Sequence, residues 1–372
     1  MNVYIYWGPR EKFINEHSLE KKENIKTLHE YLKIIEEKTI TIKSDSDIPQ
    51  SLEKEKIMLT NLICYSDDFL GLSDSGLNNF TSLISIFNIE NVYIQNPPEI
   101  IKNKLKNQNL ITTEKTYILS NLTLDVINKF AIDFNSFIIG QEDVRKKLIK
   151  ALYKKTKSNK PLVIMLYGPS GVGKTETAKF IANLINQKLF RKQFSMFQTL
   201  NYADYLFGSS HNQNSFAKEL LERESNIILL DEFDKTNNFF HSAFYQFFDE
   251  GVYIDKNYQV NLDNTIIFCT SNYKNLDKLI EVIGEPLYYR FDSIIEYKEL
   301  NSISKIKIID IYLQKILKTF NEEEQKLINY SHYENLLKEN VKNLKNVRQI
   351  KKFIEELFLE DIIKQKISNY LE

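Results

Sequence analysis

Residues 162–175 read Leu-Val-Ile-Met-Leu-Tyr-Gly-Pro-Ser-Gly-Val-Gly-Lys-Thr, and this stretch decides the fold. Six apolar or aromatic residues without a charge predict a strand covered on both faces, as in a parallel sheet. Gly168, Gly171 and Gly173 then fall within six residues, in a chain with only 10 glycines among 372 residues. Glycine lets the backbone take up conformations in which N–H groups converge on one point. Ala178, Ile181, Ala182 and Ile185 follow on one helical face, so strand, glycine loop and helix stand in the order of a phosphate-binding loop. Gly168, Pro169, Ser170, Gly171, Val172 and Gly173 would wrap the phosphates at a helix N-terminus. Lys174 would reach the β- and γ-phosphates, and the Thr175 hydroxyl would ligate Mg²⁺. A glycine turn of purely structural use would not call for Lys174 and Thr175 in those two positions.

About fifty residues on, the apolar run Ile227 to Leu230 ends in Asp231-Glu-Phe-Asp234, which puts acids where ligand sites form in α/β sheets. Asp231 there would hold Mg²⁺ through water, and Glu232 could polarise a water in line with the γ-phosphate. A third run, Thr265 to Thr270, leads into Ser271 and Asn272, whose amide could bond the γ-phosphate or the attacking water.

Working outward, strand-like and helical patterns alternate before residue 115: strands at Val3 to Trp7, Thr39 to Ile42, Ile57 to Tyr65 and Asn91 to Ile94, helices at Ile25 to Ile35, Phe80 to Ile89 and Glu99 to Lys106. The polar stretch Asn107 to Glu114 reads as a boundary. From Asn301 the pattern is helical, with Val347, Ile350, Ile354 and Leu357 on one face. The expected architecture is α/β, with a small α/β domain at 1–115, a nucleotide-binding parallel sheet at 122–299 and a helical lid at 300–372. No internal sequence repeat is visible.

Lys and Arg number 49 against 50 Asp and Glu, so net charge points to neither nucleic acid nor membrane. Aromatics at 12% supply a real core. The start of the chain lacks the pattern of a signal peptide, and a cytoplasmic location is expected. Cys64 and Cys269 lie in separate apolar runs, read as reduced core thiols. The basic stretch Arg145 to Lys160 is read as a solvated helix face, with nucleic-acid contact as the alternative. Phe240, Phe244, Phe247 and Phe248 recur at helical spacing, as core or subunit contact.

With these motifs assembled, residues 137 to 348 resemble the AAA+ ATPases, and within them the Clp-type protein-remodelling subgroup. Phe137-Ile-Ile-Gly-Gln-Glu-Asp-Val144 is similar to the family's Ile-Gly-Gln box, which implies adenine contacts from Ile138 and Ile139. Tyr245 to Gly251, Ile254-Asp255 and Thr270-Ser-Asn272 follow the Clp pattern, which implies Asn272 as sensor 1. Glu285-Pro-Leu-Tyr-Tyr-Arg-Phe-Asp292 resembles the segment that carries the arginine finger, which implies that Arg290 acts on a neighbour's nucleotide. Arg348, in Asn346-Val-Arg348, stands where the family has Gly-Ala-Arg and is implied as sensor 2. The resemblance implies ATP and Mg²⁺ as cofactors and assembly into a homo-oligomeric ring, a hexamer.

Two features depart from that family. Its aromatic pore loop is missing: Leu206-Phe-Gly-Ser209 runs on into Ser-His-Asn-Gln-Asn-Ser215, leaving Tyr205, Phe207 and His211 as substitutes or, more simply, as packing and loop residues. The family's protease-coupled members dock a peptidase through an apolar tripeptide with a central glycine, and the nearest candidate here, Ile283-Gly-Glu285, ends in a charge. The N-terminal α/β pattern has no catalytic motif. It is read as a module for a protein partner, with a vestigial nucleotide-type fold as the alternative.

Overall fold

The apolar run of 162–167 is an inner strand of a five-stranded parallel sheet in a computed structural model, which describes residues 1–44, 58–196, 202–209 and 213–367. The chain forms two compact units. One comprises Met1–Ser120, Phe197–Asn226 and Asn237–Asp263, the other Asn121–Met196, Ile227–Thr236 and Asn264–Glu372.

The first unit is built on β1 (Asn2–Trp7), β2 (Ile25–Thr27), β3 (Met58–Cys64), β4 (Asn88–Gln95) and β5 (Ile111–Thr116), all parallel, in the order β2-β3-β4-β1-β5. Val3, Ile5, Leu62, Cys64, Val92 and Ile94 form its core with Phe69 and Phe80. Three local expectations are corrected. Ile25–Thr27 is a strand and Leu28–Ser44 one helix, so Thr39 to Ile42 is helical. Thr27 and Glu30 explain this: the Glu30 carboxylate accepts the Thr27 N–H at 2.8 Å and Thr27 Oγ1 accepts the Glu30 N–H at 3.3 Å, a reciprocal cap that starts a helix. Once nucleated, the helix propagates through the β-branched residues. The helix at Phe80 ends at Leu83, and the polar stretch taken for a boundary holds β5. Among the described residues strand β5 is a sheet edge paired only to β1, which is why it tolerates Thr112, Thr113, Glu114 and Lys115.

The later segments of this unit carry an aromatic cluster. Phe216, Phe240, Phe244, Phe247 and Tyr253 are fully buried, with ring centres 5.0 to 6.4 Å apart between Phe216 or Tyr253 and their neighbours. Phe240, Phe244, Phe247 and Phe248 are therefore core. Tyr205 donates to Glu219 at 2.7 Å and Phe207 packs edge-on against Phe239, so neither candidate pore aromatic is loose; His211 lies outside the described residues.

The second unit contains β6 (Leu162–Tyr167), β7 (Phe190–Gln193), β8 (Ile227–Asp231), β9 (Ile266–Ser271) and β10 (Ser293–Glu296), parallel throughout, in the order β10-β6-β9-β8-β7. Strands β6, β8 and β9 are buried along their whole length, as continuous apolar runs require. Residues 302–366 are mostly helical, and their Ile308, Ile309, Leu313, Ile350, Ile354 and Phe358 join the same apolar cluster as the sheet. No described helix is long and apolar enough to cross a membrane.

Candidate active site

The loop after β6 lies between the strand and the helix Lys174–Leu184. Gly168 takes φ 133°, and a Cβ there would stand 2.1 Å from the Tyr297 carbonyl oxygen, so glycine is obligatory. Val347 N–H, at the start of the helix Val347–Lys366, donates to Gly171 O at 3.3 Å and ties that helix to the loop.

A cavity of about 410 Å³ opens over the loop. Ser170, Gly171, Gly173, Lys174 and Thr175 line one side, Asp231, Glu232 and Asn272 another, and Arg348 and Lys351 a third. The structure thus brings the loop residues together with Asp231, Glu232, Asn272 and Arg348. Ile138 and Ile139 line an adjoining cavity of about 450 Å³ that shares Gly173, Glu176, Tyr312 and Val347 with the first. Arg290 lines neither; its Nη1 donates to Pro286 O at 2.7 Å, past the short helix Glu285–Tyr288.

Inside the cavity the polar groups form one network. Lys174 Nζ donates to the carbonyls of Gly168 and Pro169 at 2.7 and 2.6 Å and to Asn272 Oδ1 at 3.1 Å. Burial pulls its ammonium down to about 8, opposed by Asp231 and helped by Arg348. Thr175 Oγ1 stands 3.4 Å from both oxygens of Asp231, an all-oxygen pair of the kind a hard divalent cation takes. Thr270 Oγ1 donates to Asp231 Oδ1 at 2.5 Å and accepts the Glu232 N–H at 2.9 Å. Glu232 itself has φ 56°, a left-handed conformation that costs energy in a non-glycine residue and tends to mark functional sites.

Sequence reasoning missed Lys351 and, on β7, Arg191 and Gln193. The latter two alternate on β7, so both project to one face, and Gln193 pairs directly opposite Asp231. Arg191 holds Asp231 Oδ2 through Nη2 at 2.6 Å and Nε at 3.1 Å; Gln193 Nε2 donates to Glu232 Oε2 at 2.7 Å. Strand β7 is short and carries only one apolar residue, so no period announced it; it is recognised only by its pairing with β8.

The basic stretch is partly consumed within the unit. Arg145 Nε donates to Ala131 O at 2.7 Å, and buried Lys155 donates to the carbonyls of Ser158 and Lys160 at 2.9 and 2.6 Å.

Residues 159–338 match the family model described as AAA domain (Cdc48 subfamily). The chain is 28% identical over 271 residues to the chaperone protein ClpB of Mycoplasmoides gallisepticum, covering 64% of this chain and 37% of that protein. It is 27% identical over 279 residues to ClpB of Clostridium tetani, covering 65% and 32%, respectively. With the ATP-dependent Clp protease ATP-binding subunit ClpE of Lactococcus lactis it shares 26% over 245 residues, covering 55% and 33%. The chain thus spans about a third of the length of these relatives. Fold, phosphate loop and sequence similarity agree, and residues 159–338 are an AAA+ ATPase domain of the Clp type.

Proposed function

We propose that this chain is a Mg²⁺-dependent ATPase that works as a homo-oligomeric ring, a hexamer, in the cytoplasm and couples ATP turnover to remodelling of a protein partner held by the first unit. The observation that carries it is the single cavity in which the loop 168–175 meets Asp231, Glu232, Asn272 and Arg348. Lys174, Arg348, Arg191 and Lys351 surround it with positive charge suited to a polyphosphate. Thr175 and Asp231 would hold Mg²⁺, which supplies charge neutralisation at the phosphate oxygens. Glu232 would take the proton of the attacking water, oriented by the amides of Gln193 and Asn272. Lys174 would exchange its two carbonyl partners for phosphate oxygens. Ile138 and Ile139 would flank the adenine, Arg348 would report the phosphates to the helices of 300–372, and Arg290 would complete a neighbour's site.

A second reading is favoured by Tyr205 and Phe207 being packed rather than free: an ATP-gated assembly switch that does not thread polypeptide. Hydrolysis measured across a protein concentration series, with oligomeric mass in parallel, separates the possibilities. Activity that tracks assembly, collapses by roughly 10³-fold or more in Arg290→Ala, and is stimulated by an unfolded protein supports remodelling. Assembly-dependent activity indifferent to unfolded protein supports the switch. Activity independent of assembly removes the ring from both.

A further inference from the structure

The first unit repeats the strand order of the second. Numbered from the start of its own unit, each sheet runs fifth, first, fourth, third, second, with every strand parallel. The repetition reaches individual atoms. The last residue of the first strand, Trp7 or Tyr167, accepts at its carbonyl the N–H of the residue just past the fifth strand, Tyr117 at 2.8 Å or Tyr297 at 2.7 Å. Glycine follows in both, Gly8 with φ 149° and Gly168 with φ 133°, and an added Cβ would meet Tyr117 Cβ at 2.6 Å or Tyr297 O at 2.1 Å. A proline comes next in each, Pro9 and Pro169.

Beyond the proline the two diverge. The second unit inserts Ser170-Gly-Val-Gly173 before its helix, whereas the helix Arg10–Glu16 begins directly after Pro9. Where the second unit has Lys174 aimed at its cavity, the first has Arg10, whose guanidinium lies 3.8 Å from the ring centre of Tyr65. The space at the strand ends is filled in part by protein, which leaves a cavity of about 320 Å³ beside Trp7, Gly8, Thr116 and Tyr117 that Leu221 also lines. Asn96, fully buried just past β4, accepts the Gly8 N–H at 2.8 Å and donates to Gly8 O at 3.0 Å, and Gln95 Nε2 donates to the same carbonyl at 2.9 Å.

Strand β3 occupies the position that β8 occupies in the second sheet, and just past it stands Asp67. Its carboxylate accepts from Lys218 Nζ at 2.5 Å, a lysine only 2% exposed, whose second bond goes to Asn214 Oδ1 at 3.2 Å. Lys218 belongs to the helix Phe216–Leu221, capped by Ser215, and Leu221 packs against the core of the first sheet. A buried lysine needs its counter-charge. Here the acid past the third strand supplies it.

We propose that the first unit is a second copy of the nucleotide-binding fold, whose crevice at the strand ends has become a docking site for a peptide segment of the same chain, residues 214–221, in place of a nucleotide. The chain then carries one nucleotide site, and Asp67 is the anchor for Lys218.

The test uses the full chain. A fluorescent ATP analogue is titrated against wild type and Lys174→Ala, and hydrogen exchange is followed in Asp67→Ala, Lys218→Ala and the charge-exchanged pair Asp67→Lys with Lys218→Asp. One analogue per chain is expected for wild type and none for Lys174→Ala. Each alanine variant should speed exchange of the Phe216–Leu221 amides by about tenfold or more, leaving Lys174–Leu184 unchanged, and the exchanged pair should recover most of the protection. Two analogues per chain, binding retained in Lys174→Ala, or unchanged exchange in the alanine variants would overturn the proposal. Should those variants fail to fold, the wild-type stoichiometry and the exchanged pair still decide it: protection lost in the pair as well would count against Asp67 as the anchor.

Discussion

Gln193 Nε2 donates to Glu232 Oε2 at 2.7 Å, while Asn272 Nδ2 stands 3.4 Å from the other oxygen of the same carboxylate. The proposed base is thus gripped from two sides, by β7 on one and by the residue just past β9 on the other. Two donors fix the direction of the carboxylate, which matters for a base that must meet one water. Gln193→Ala should lower kcat for ATP about tenfold, with nucleotide affinity changed less than about twofold. A rise in kcat would mean that Gln193 restrains Glu232 rather than aims it.

Arg191 and Asp231 make the closest charge pair in the cavity, at 2.6 Å, with Asp231 only 6% exposed and Arg191 nearly half exposed. Because one partner is solvated, its loss should cost about 1–2 kcal/mol rather than the larger price of a fully buried pair. Arg191→Ala should therefore melt a few degrees lower without Mg²⁺, and Mg²⁺ should restore part of the difference by taking over the carboxylate. Equal melting temperatures for variant and wild type in chelator would sink the idea that this pair is stabilising.

Two glycines give a matched contrast. Gly168→Ala would drive a Cβ to 2.1 Å from a backbone oxygen in a left-handed conformation, while Gly71 has nothing within 4 Å of an added Cβ. We expect Gly168→Ala to cost about 3 kcal/mol or more and to abolish nucleotide binding, and Gly71→Ala to stay within about 0.5 kcal/mol of wild type in chemical denaturation. Comparable effects at the two sites would contradict the packing described.

Tyr297 is fully buried, and its hydroxyl lies 2.6 Å from Thr177 Oγ1, which is also 3.0 Å from Gly173 O. Removing the phenol oxygen leaves Thr177 with a partner, so Tyr297→Phe should cost only about 1 kcal/mol. Tyr297→Ala, which empties the space behind the phosphate loop, should cost about 3–5 kcal/mol. A urea midpoint for the phenylalanine variant as low as that of the alanine variant would show that the hydroxyl, not the ring, carries the position.

What could be read from sequence alone follows a physical division. Strands β6, β8 and β9 were legible because a strand buried on both faces leaves an unbroken apolar run, and the loop was legible because phosphate binding requires glycine, lysine and threonine in a fixed order. Asp231, Glu232, Asn272 and Arg348 reach one cavity as that reading anticipated, though the roles assigned to them rest on the proposal above. Arg191 and Gln193 were hidden, since their contribution depends on β7 pairing with β8 across a gap of more than thirty residues. Edge strand β5 was hidden by its polarity, and the helix through Thr39 to Ile42 by a cap twelve residues upstream. The likeness of the two sheets left no sequence repeat because it resides in strand order and in backbone contacts such as Tyr117 to Trp7 and Tyr297 to Tyr167.

The strand bearing Asp231 is bracketed in the chain by segments of the first unit, which it leaves at Asn226 and rejoins at Asn237. Such a chain is not modular. A fragment starting at Asn121 would keep Phe216, Phe244, Phe247 and Tyr253 but lose the sheet whose unit they complete, and a fragment ending at Ser120 would keep that sheet and lose Lys218. Neither half can be transplanted, expressed alone or exchanged with a homologous piece by a single crossover. Inheritance must pass both on together, so each half can change only as fast as the other allows.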